Sequence, residues 1–300
     1  MDQRPMNTRG LGAVTAPSSP TLLTIGRHTY DLSQRTVIMG ILNITPDSFA
    51  DGGQFFEPQV AIKHAQAMVA AGADIIDIGG ESTRPYATPV PLEEELERVI
   101  PIIATLRAHS DVPISIDTYK AAIARQALSA GANLVNDISA LRFDPDMADL
   151  VAEAKVPVIL MHMQGTPQNM QVKPQYQNLM GEIKQFFQER LDFALAHGIS
   201  GHQIILDPGI GFGKTWKHNL EIIQRLDEFQ ELGCPILLGT SRKAFIGKIL
   251  DLPPAERDIG TLATIAVGVL RGAQLIRTHN VLWGHQVIAM VEAILHSYPR

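Results

Sequence analysis

The chain has 300 residues, 45% of them hydrophobic, and a formal net charge of -6 at pH 7. A chain of this size can bury one large core, and because it carries no long basic run, we expect neither nucleic acid nor a membrane as a partner. Cys234 is the only cysteine, which excludes an intrachain disulfide and a cysteine-rich metal cluster. No apolar stretch approaches the roughly 20 residues that span a bilayer. These features favour a cytoplasmic protein that acts on small molecules.

The first 20 residues contain Arg, Thr, Ser, Gly and Pro but no periodic apolar positions. This composition predicts a mobile N-terminal leader, and its few acidic residues leave an organelle transit peptide as the less favoured alternative. Residues 22–32 then predict a β-hairpin that covers the bottom of the following fold. We therefore divide the chain into a leader, residues 1–20, and a single domain, residues 21–300.

After the hairpin, short β-branched or apolar runs alternate with helical patterns, which is typical of a parallel sheet. The predicted strands are Val37 to Ile44, Ile75 to Gly79, Ile114 to Asp117, Leu134 to Ile138, Val158 to His162, Ile204 to Asp207, Ile236 to Gly239 and Leu275 to Thr278. Helix candidates between them include Val60 to Ala71, Leu92 to Ala108, Lys120 to Ala130, Tyr176 to His197, Leu220 to Glu228 and Gly260 to Arg271. Eight βα units predict an α/β protein with a closed (β/α)8 TIM barrel.

A doubly wound open sheet is the main alternative fold. Such a sheet would more naturally carry a glycine fingerprint after its first strand, whereas the sequence there is Asn43-Ile44-Thr45-Pro46-Asp47. The closed barrel is therefore the preferred architecture.

Polar side chains stand at the end of nearly every predicted strand. They are Asn43, Glu81, Asp117, Asn136, His162, Asp207, Lys243, Arg277 and His279. In a barrel the carboxyl ends of the strands meet at one mouth, so these residues would share one site. Any single Asp or Asn after a strand is explained equally well as a cap of the next helix. The convergence of nine polar residues favours a binding site over capping.

The chemistry of these residues indicates a flat ligand rich in N–H groups. Asp117 and Asp207 can accept paired N–H donors from a planar heterocycle, and Asn136 can both donate and accept on the same ring edge. Lys243 and Arg277 add positive charge, and the planar guanidinium can also stack on an aromatic face. His279 stands two residues after Arg277, a spacing that directs both side chains to one side of a strand. Arg277 and His279 together could hold a phosphate.

Two glycine-containing loops have alternative interpretations. The loop from 43 to 53 includes Gly52 and Gly53, which suit a closing lid, although a plain surface turn has the same composition. The segment 209–215 ends in Gly-Lys-Thr, but its spacing does not match a phosphate-binding loop. We therefore do not expect nucleotide hydrolysis.

The motifs as a set resemble those of the dihydropteroate synthases within the pterin-binding enzyme family. They begin with Gly40-Ile-Leu-Asn-Ile-Thr-Pro-Asp-Ser-Phe-Ala-Asp-Gly-Gly53 and Asp77-Ile-Gly-Gly-Glu-Ser-Thr-Arg-Pro85. They continue with Ile116-Asp-Thr118, Val135-Asn-Asp-Ile138, Leu160-Met-His-Met-Gln-Gly165, Leu206-Asp-Pro-Gly-Ile-Gly-Phe-Gly-Lys214, Gly239-Thr-Ser-Arg-Lys243 and Ile276-Arg-Thr-His279. The resemblance covers roughly residues 21 to 295. It implies a sulfonamide-target transferase of folate biosynthesis, which joins 6-hydroxymethyl-7,8-dihydropterin pyrophosphate to p-aminobenzoate and releases pyrophosphate.

The resemblance also implies a role for each site residue. Asp117, Asn136, Asp207 and Lys243 would hold the pterin, with Met161, Phe212 and Gly239 shaping its pocket and Arg277 stacking on the ring. Asn43, Arg277 and His279 would bind pyrophosphate, with Asn43 also coordinating Mg2+, while Thr83, Arg84, Pro85 and Ser241 would border p-aminobenzoate. Phe49 and Asp51 would lie on a closing lid, and Asp51, Asp117, Lys243 and Arg277 would be catalytic. A homodimer formed through late helices is also implied.

Three positions depart from the family pattern. Tyr86, Ala244 and Asn280 stand where Gly, Ser and Asp are common, so the surroundings of p-aminobenzoate are less well defined than the pterin contacts. Two alternative functions remain. A pterin-dependent methyltransferase has a similar barrel but no need of pyrophosphate groups, and a non-catalytic pterin-binding protein would keep the pocket without turnover.

Overall fold

A computed structural model of the chain describes residues 22–44, 58–83 and 87–297. The predicted leader, residues 1–20, lies outside this range. The described residues contain no helix with the length and apolar character needed to cross a membrane.

Eight parallel strands form the central sheet. They are β3 (Val37–Asn43), β4 (Ile75–Gly79), β5 (Ile114–Asp117), β6 (Leu134–Asp137), β7 (Val158–Met161), β8 (Ile204–Asp207), β9 (Leu237–Leu238) and β10 (Leu275–Thr278). Their order is β8-β7-β6-β5-β4-β3-β10-β9, and a parallel bridge between Leu206 and Ile236 joins the two ends. The predicted barrel is therefore confirmed.

Helices cover the outside of the barrel. They are α1 (Pro58–Ala70), α2 (Leu92–His109), α3 (Ala121–Ser129), α4 (Met147–Ala154), α5 (Leu179–Ala196), α6 (Trp216–Gln224), α7 (Ala244–Leu250), α8 (Asp258–Leu270) and α9 (Val281–His296). Their buried faces pack on the outward-facing residues of the strands in one large apolar cluster.

Side-chain caps explain where two helices depart from the prediction. The sixth helix begins at Trp216 instead of the predicted Leu220 because the Thr215 side chain accepts a hydrogen bond from the His218 N–H. The fifth begins at Leu179 instead of Tyr176 because Asn178 accepts one from Gly181 N–H. Each cap satisfies a backbone donor that has no partner inside the helix.

The lower part of the barrel interior is largely apolar, with the fully buried Ser115 of β5 as a polar exception. Its inward-facing apolar residues are Val37, Met39, Ile75, Leu134, Ile159, Ile205, Leu237 and Leu275. A hairpin of β1 (Leu22–Ile25) and β2 (His28–Asp31) packs beneath them, with Leu23 and Ile25 fully buried in the same cluster. The hairpin covers the bottom of the barrel, as predicted, and leaves its upper end open.

Candidate active site

Toward the carboxyl ends of the strands, the inward-facing positions change from apolar to polar. Residues two apart on a strand face the same side, so each apolar residue of the lower layer is followed by a residue of an upper layer. These pairs include Ile75 and Asp77, Leu134 and Asn136, Ile205 and Asp207, and Leu275 and Arg277. The barrel thus brings polar residues from distant parts of the sequence into one layer.

A hydrogen-bonded ionic network joins four side chains of this layer. Arg277 donates from Nε to Asp77 Oδ2 at 2.6 Å and from Nη2 to Asp117 Oδ2 at 2.7 Å. Asn136 donates from Nδ2 to Asp77 Oδ2 at 3.2 Å. The Asp77 side chain has no exposed surface, whereas that of Asp117 is 11% exposed. One guanidinium therefore holds together two carboxylates, of which only Asp117 reaches an open cavity.

Burial and neighbouring charges shift the pKa values of the cavity residues. Burial raises the pKa of Asp117, although the positive charge of Arg277 opposes the shift. Burial lowers the pKa of Arg277, but the carboxylates of Asp77 and Asp117 raise it by more, so it lies above its ordinary value. Burial lowers the pKa of Lys243 to about 8, and the charge of Arg277 adds to this effect. Arg277 is thus permanently charged, whereas Lys243 loses its charge slightly above neutral pH.

Asp207, Phe212 and Lys243 form a second part of the site. The Lys243 Nζ lies 4.1 Å from the centroid of the Phe212 ring, within the range of a cation–π contact. Asp207 Oδ1 accepts a hydrogen bond from Gly209 N–H at 2.7 Å. Burial raises the pKa of Asp207, opposed by that hydrogen bond and by Lys243. An ammonium thus lies over an aromatic face and interacts with a nearby carboxylate, an arrangement suited to a planar polar ring.

Ser241 and His279 form a hydrogen-bonded pair at the rim. Ser241 Oγ lies 2.8 Å from His279 Nδ1 and accepts from the backbone N–H of His279 at 3.2 Å. Burial lowers the pKa of His279 to about 3, with Arg277 contributing, so the imidazole is neutral at pH 7. When the Ser241 hydroxyl donates to Nδ1, the proton on Nε2 is free to donate to an anion. His279 can therefore orient a phosphate but adds no charge to it.

The structure brings most of the predicted site residues to one cavity. Those that line it are Asn43, Thr83, Asp117, Phe212, Gly239, Ser241, Lys243, Arg277 and His279. Three others, Asn136, Met161 and Asp207, lie deeper, each less than a tenth exposed, and do not line the open space. Phe49, Asp51, Arg84 and Pro85 lie outside the described residues, as does Tyr86. Of the other departures, Ala244 begins α7, and Asn280 caps α9 at the Trp283 N–H.

The glycine-rich segment after β8 is held by a buried lysine. Lys214 Nζ lies 2.8 Å from His162 Nδ1 and donates to the carbonyl oxygens of His162 and Phe212 at 3.2 Å and 2.9 Å. Gly209 has a φ of +68°, and a Cβ there would lie 2.0 Å from the His162 carbonyl oxygen, so only glycine fits. Lys214 is 3% exposed and is occupied by these contacts. This agrees with the prediction that the segment is not a phosphate-binding loop.

Two features of the site were missed by sequence reasoning. Asp77 begins the motif that ends at Pro85, but the sequence pattern predicts no role for it. Lys120 Nζ donates to Glu81 at 2.8 Å, to Glu95 at 2.6 Å and to the Val90 carbonyl at 2.6 Å. These bonds hold both ends of the loop that carries Thr83. A carboxylate at an inward position of a buried strand was the available signal for Asp77, whereas no sequence signal links Lys120 to its partners.

Comparison with known proteins gives the same result as the geometry. A family model described as "Pterin binding enzyme" matches residues 39–279. The dihydropteroate synthase of Synechocystis sp. is 51% identical over 276 residues, which cover 92% of this chain and 96% of that protein. The dihydropteroate synthase of Escherichia coli is 44% identical over 260 residues, 87% of this chain and 92% of that protein.

Solved structures agree with these relatives. A dihydropteroate synthase of Yersinia pestis with a sulfonamide drug complex has a TM-score of 0.87 and 45% identity, covering 91% of this chain and 99% of the other. The dihydropteroate synthase of Xanthomonas albilineans with 4-aminobenzoic acid has a TM-score of 0.88 and 40% identity, covering 94% of this chain and 100% of the other. The chain therefore belongs to the pterin-binding enzyme family. Within that family it falls among the dihydropteroate synthases and has their transferase activity, which confirms the function predicted from the motifs.

Proposed function

We propose that the cavity at the carboxyl ends of the strands is where the chain joins 6-hydroxymethyl-7,8-dihydropterin pyrophosphate to p-aminobenzoate. The observation that carries this assignment is the convergence of Asp117, Lys243 and Arg277 on one cavity, with Asn136 bonded to the same network. This set combines ring-edge acceptors and donors with cations for a diphosphate. A methyltransferase would not need the cations beside Asn43 and His279.

The pterin lies in the deep part of the site in this proposal. Asp117, Asn136, Asp207 and Lys243 bind its polar edges, Met161, Phe212 and Gly239 shape the pocket, and Arg277 stacks on the ring. Met161 and Phe212 belong to the same buried apolar cluster, and Gly239 lies beside Arg277, where an added Cβ would be in ordinary contact with the Arg277 Cβ at 3.7 Å. A flat ring would therefore lie between these apolar side chains and the Arg277 guanidinium, with hydrogen-bonding groups at its edges.

The pyrophosphate and p-aminobenzoate lie nearer the rim. Asn43, Arg277 and His279 bind pyrophosphate, whereas Thr83, Arg84, Pro85 and Ser241 border p-aminobenzoate. The hydrogen bond between Ser241 and His279 supports neighbouring positions for the two reactants. We also assign Phe49 and Asp51, which lie outside the described residues, to a loop that would close over both reactants and exclude water.

Mg2+ bound by Asn43 is also part of the proposal. Asn43 ends β3 beside Gly79 of β4, and its partly exposed side chain lines the cavity. Among the described residues, no group of three or more His, Cys, Asp or Glu could hold a metal. One amide oxygen nevertheless fits Mg2+, which commonly keeps several waters and takes the rest of its ligands from substrate phosphates. When bound there, Mg2+ would neutralise charge on the departing pyrophosphate.

The reaction breaks the exocyclic C–O bond of the pterin substrate, and the bonding electron pair leaves with pyrophosphate. The amine nitrogen of p-aminobenzoate then bonds to this carbon and loses a proton to solvent. Arg277 and Lys243 stabilise negative charge on the leaving group, and Asp117 stabilises positive charge on the pterin. Each preorganised contact of this kind contributes about 3 kcal/mol to lowering the barrier. Because the amine of p-aminobenzoate is the nucleophile, the chemistry needs no protein nucleophile. Asp51 is assigned a catalytic role on the closing loop.

We include a homodimer and a cytoplasmic location in the proposal. Trp283, Met290 and Ile294 lie along one stripe of α9 and are 45%, 63% and 58% exposed. Ile259 and Val267 of the adjacent α8 are 77% and 42% exposed. Exposed apolar residues on two helices that pack against each other are typical of association surfaces, which supports pairing of two copies through α8 and α9.

The direct test is turnover. The purified chain is incubated with the pterin pyrophosphate, p-aminobenzoate and Mg2+, and release of pyrophosphate is followed. We expect release that requires p-aminobenzoate and that stops when EDTA removes Mg2+. No release would refute the site assignment, and calorimetric binding of pterin without turnover would support a non-catalytic pterin-binding protein instead.

The substitution Asp207→Ala tests the pterin contacts separately. Because the carboxylate would accept N–H donors of the ring, its loss should weaken pterin affinity by more than about tenfold. Calorimetry with the unreactive pterin alcohol measures this. A dissociation constant equal to that of the wild type would contradict the assigned role.

A further inference from the structure

Asp77 is the one carboxylate of the ionic network that does not line the cavity. Its side chain has no exposed surface, so it cannot contact a substrate in the open space. It nevertheless accepts hydrogen bonds from both Asn136 and Arg277 on the single oxygen Oδ2. Both donors belong to the proposed pterin site. Asp77 therefore lies directly behind two groups that would touch the substrate.

The contact between Asp77 and Asn136 determines which way the amide faces. An ionised carboxylate can only accept hydrogen bonds, so Asn136 must direct its NH2 group, and not its carbonyl oxygen, toward Asp77. This leaves the carbonyl oxygen and the second N–H of Asn136 for a ligand. A free amide could rotate by half a turn and present the opposite pattern. Asp77 thus selects the hydrogen-bonding pattern that Asn136 offers.

The contact between Asp77 and Arg277 fixes the guanidinium. Nε bonds to Asp77 at 2.6 Å, while Nη2 bonds to Asp117 at 2.7 Å. Two carboxylates at different positions define the plane of the guanidinium. The plane matters because Arg277 would stack on the ring, and the remaining N–H groups must point toward the pyrophosphate.

Burial of Asp77 is costly for stability. Asp77 Oδ1 is a buried oxygen without a hydrogen-bond partner among the described residues. A fully buried carboxylate is destabilising unless it is well paired, and an apolar residue of similar size is often more stable. Asp77 leaves part of that cost uncompensated, which points to a role in the site rather than in the fold.

We propose that Asp77 is a positioning residue that fixes the Asn136 amide and the Arg277 guanidinium in the orientations that bind pterin. This inference rests on the proposed assignment of the site. It concerns how tightly the pterin is held and leaves the p-aminobenzoate contacts unchanged.

The test is Asp77→Asn in the full chain. This substitution removes one negative charge from a cluster of two carboxylates and one guanidinium, so the remaining pair is balanced and the variant should fold. The KM for pterin pyrophosphate should rise at least about tenfold, whereas the KM for p-aminobenzoate should stay within about twofold. The amide that this substitution introduces can donate as well as accept, so it no longer selects the orientation of Asn136.

The pH profile gives a readout that a purely structural role would not change. Asp117 faces Arg277, Asp77, Glu95 and Lys243, and the negative charge of Asp77 raises its pKa. Without that charge Asp117 loses its proton at lower pH. The acid limb of kcat/KM should therefore move down by about one pH unit in Asp77→Asn.

The matched control is Asp74→Asn. Asp74 precedes the same strand at the lower end of the barrel, is also paired with an arginine, Arg35, and has a side chain that is 13% exposed. Its substitution should lower stability without changing the pterin KM or the acid limb. A pairwise test adds Asn136→Ala: the double variant Asp77→Asn/Asn136→Ala should lose less pterin affinity than the two single losses added together, because part of the effect of Asp77 acts through Asn136.

Three outcomes would overturn the inference. The first is an Asp77→Asn enzyme with wild-type pterin KM and pH profile, and the second is additive losses in the double variant. The third is failure of both Asp77→Asn and Asp77→Ser to fold beside a folded Asp74→Asn, which would make Asp77 a stabilising residue. These outcomes are distinct from failure of the site assignment, because in that case the wild type itself would release no pyrophosphate.

Discussion

Ile205 and Asp207 lie two residues apart on β8 and both face the barrel interior. Their surroundings nevertheless differ, since one is apolar and the other is polar and charged. Ile205 is packed in the lower layer with the hairpin residues Leu23 and Ile25. Asp207 lies above it among hydrogen-bond donors and cations. The same alternation on other strands gives an apolar lower layer and an ionic upper layer.

The two layers contribute differently to the free energy of the folded chain. Burial of an apolar side chain stabilises the barrel by about 1.5–3 kcal/mol, whereas buried charges contribute little or destabilise unless they are well paired. We infer that the lower layer and its hairpin provide stability, while the upper layer is organised for binding. Substitutions in the two layers should therefore separate stability from activity.

The largest expected effect is from Arg277→Met in the upper layer. This change leaves Asp77 and Asp117 without their shared cation and removes positive charge from the pyrophosphate position. We expect kcat/KM for pyrophosphate release to fall by about 1000-fold or more. The control is Arg35→Met at the lower end of the barrel, which also removes an arginine paired with an aspartate. Its kcat/KM for pyrophosphate release should stay within about twofold of the wild-type value. A loss below about tenfold in Arg277→Met would contradict the division into two layers.

The next effect is from Leu23→Ala in the hairpin. Leu23 is fully buried, so truncation leaves a cavity and should lower the free energy of unfolding by about 2–5 kcal/mol. The activity of the folded enzyme should change little, because the hairpin lies at the closed end. Urea unfolding measures stability, and Leu22→Ala provides a control at a neighbouring residue that is 56% exposed. Equal destabilisation by the two variants would show that the hairpin does not seal the barrel.

The smallest effect concerns the charge of Lys243 in the upper layer. Burial, with Arg277 contributing, lowers its pKa to about 8, so the ammonium is charged below that pH and neutral above it. We expect kcat/KM to fall about tenfold per pH unit above pH 8. The arginine in Lys243→Arg stays charged at all these pH values. The kcat/KM of this variant should therefore not fall above pH 8, even if its activity is lower. An unchanged basic limb in Lys243→Arg would assign it to another group.

The strands and the polar residues at their ends could be predicted because their patterns are local. The predicted start of the sixth helix was wrong because it followed the apolar periodicity, whereas the cap at Thr215 determines where the helix begins. Lys214 stands in a sequence that superficially resembles a phosphate-binding loop, but its amine is buried against His162. The role of Asp77 depends on Asn136 and Arg277, which are 59 and 200 residues away in the chain.

The sequence by itself determined the alternation of strands and helices, the apolar interior positions and the polar residues near the strand ends. These follow from the two-residue period of strands and from the burial of apolar surface. Only the tertiary structure decided that Arg277 would bridge Asp77 and Asp117 and that Asp207 would lie deeper than the cavity wall. Such pairings depend on strand register and side-chain direction around a closed barrel, and neither quantity is encoded in any short segment.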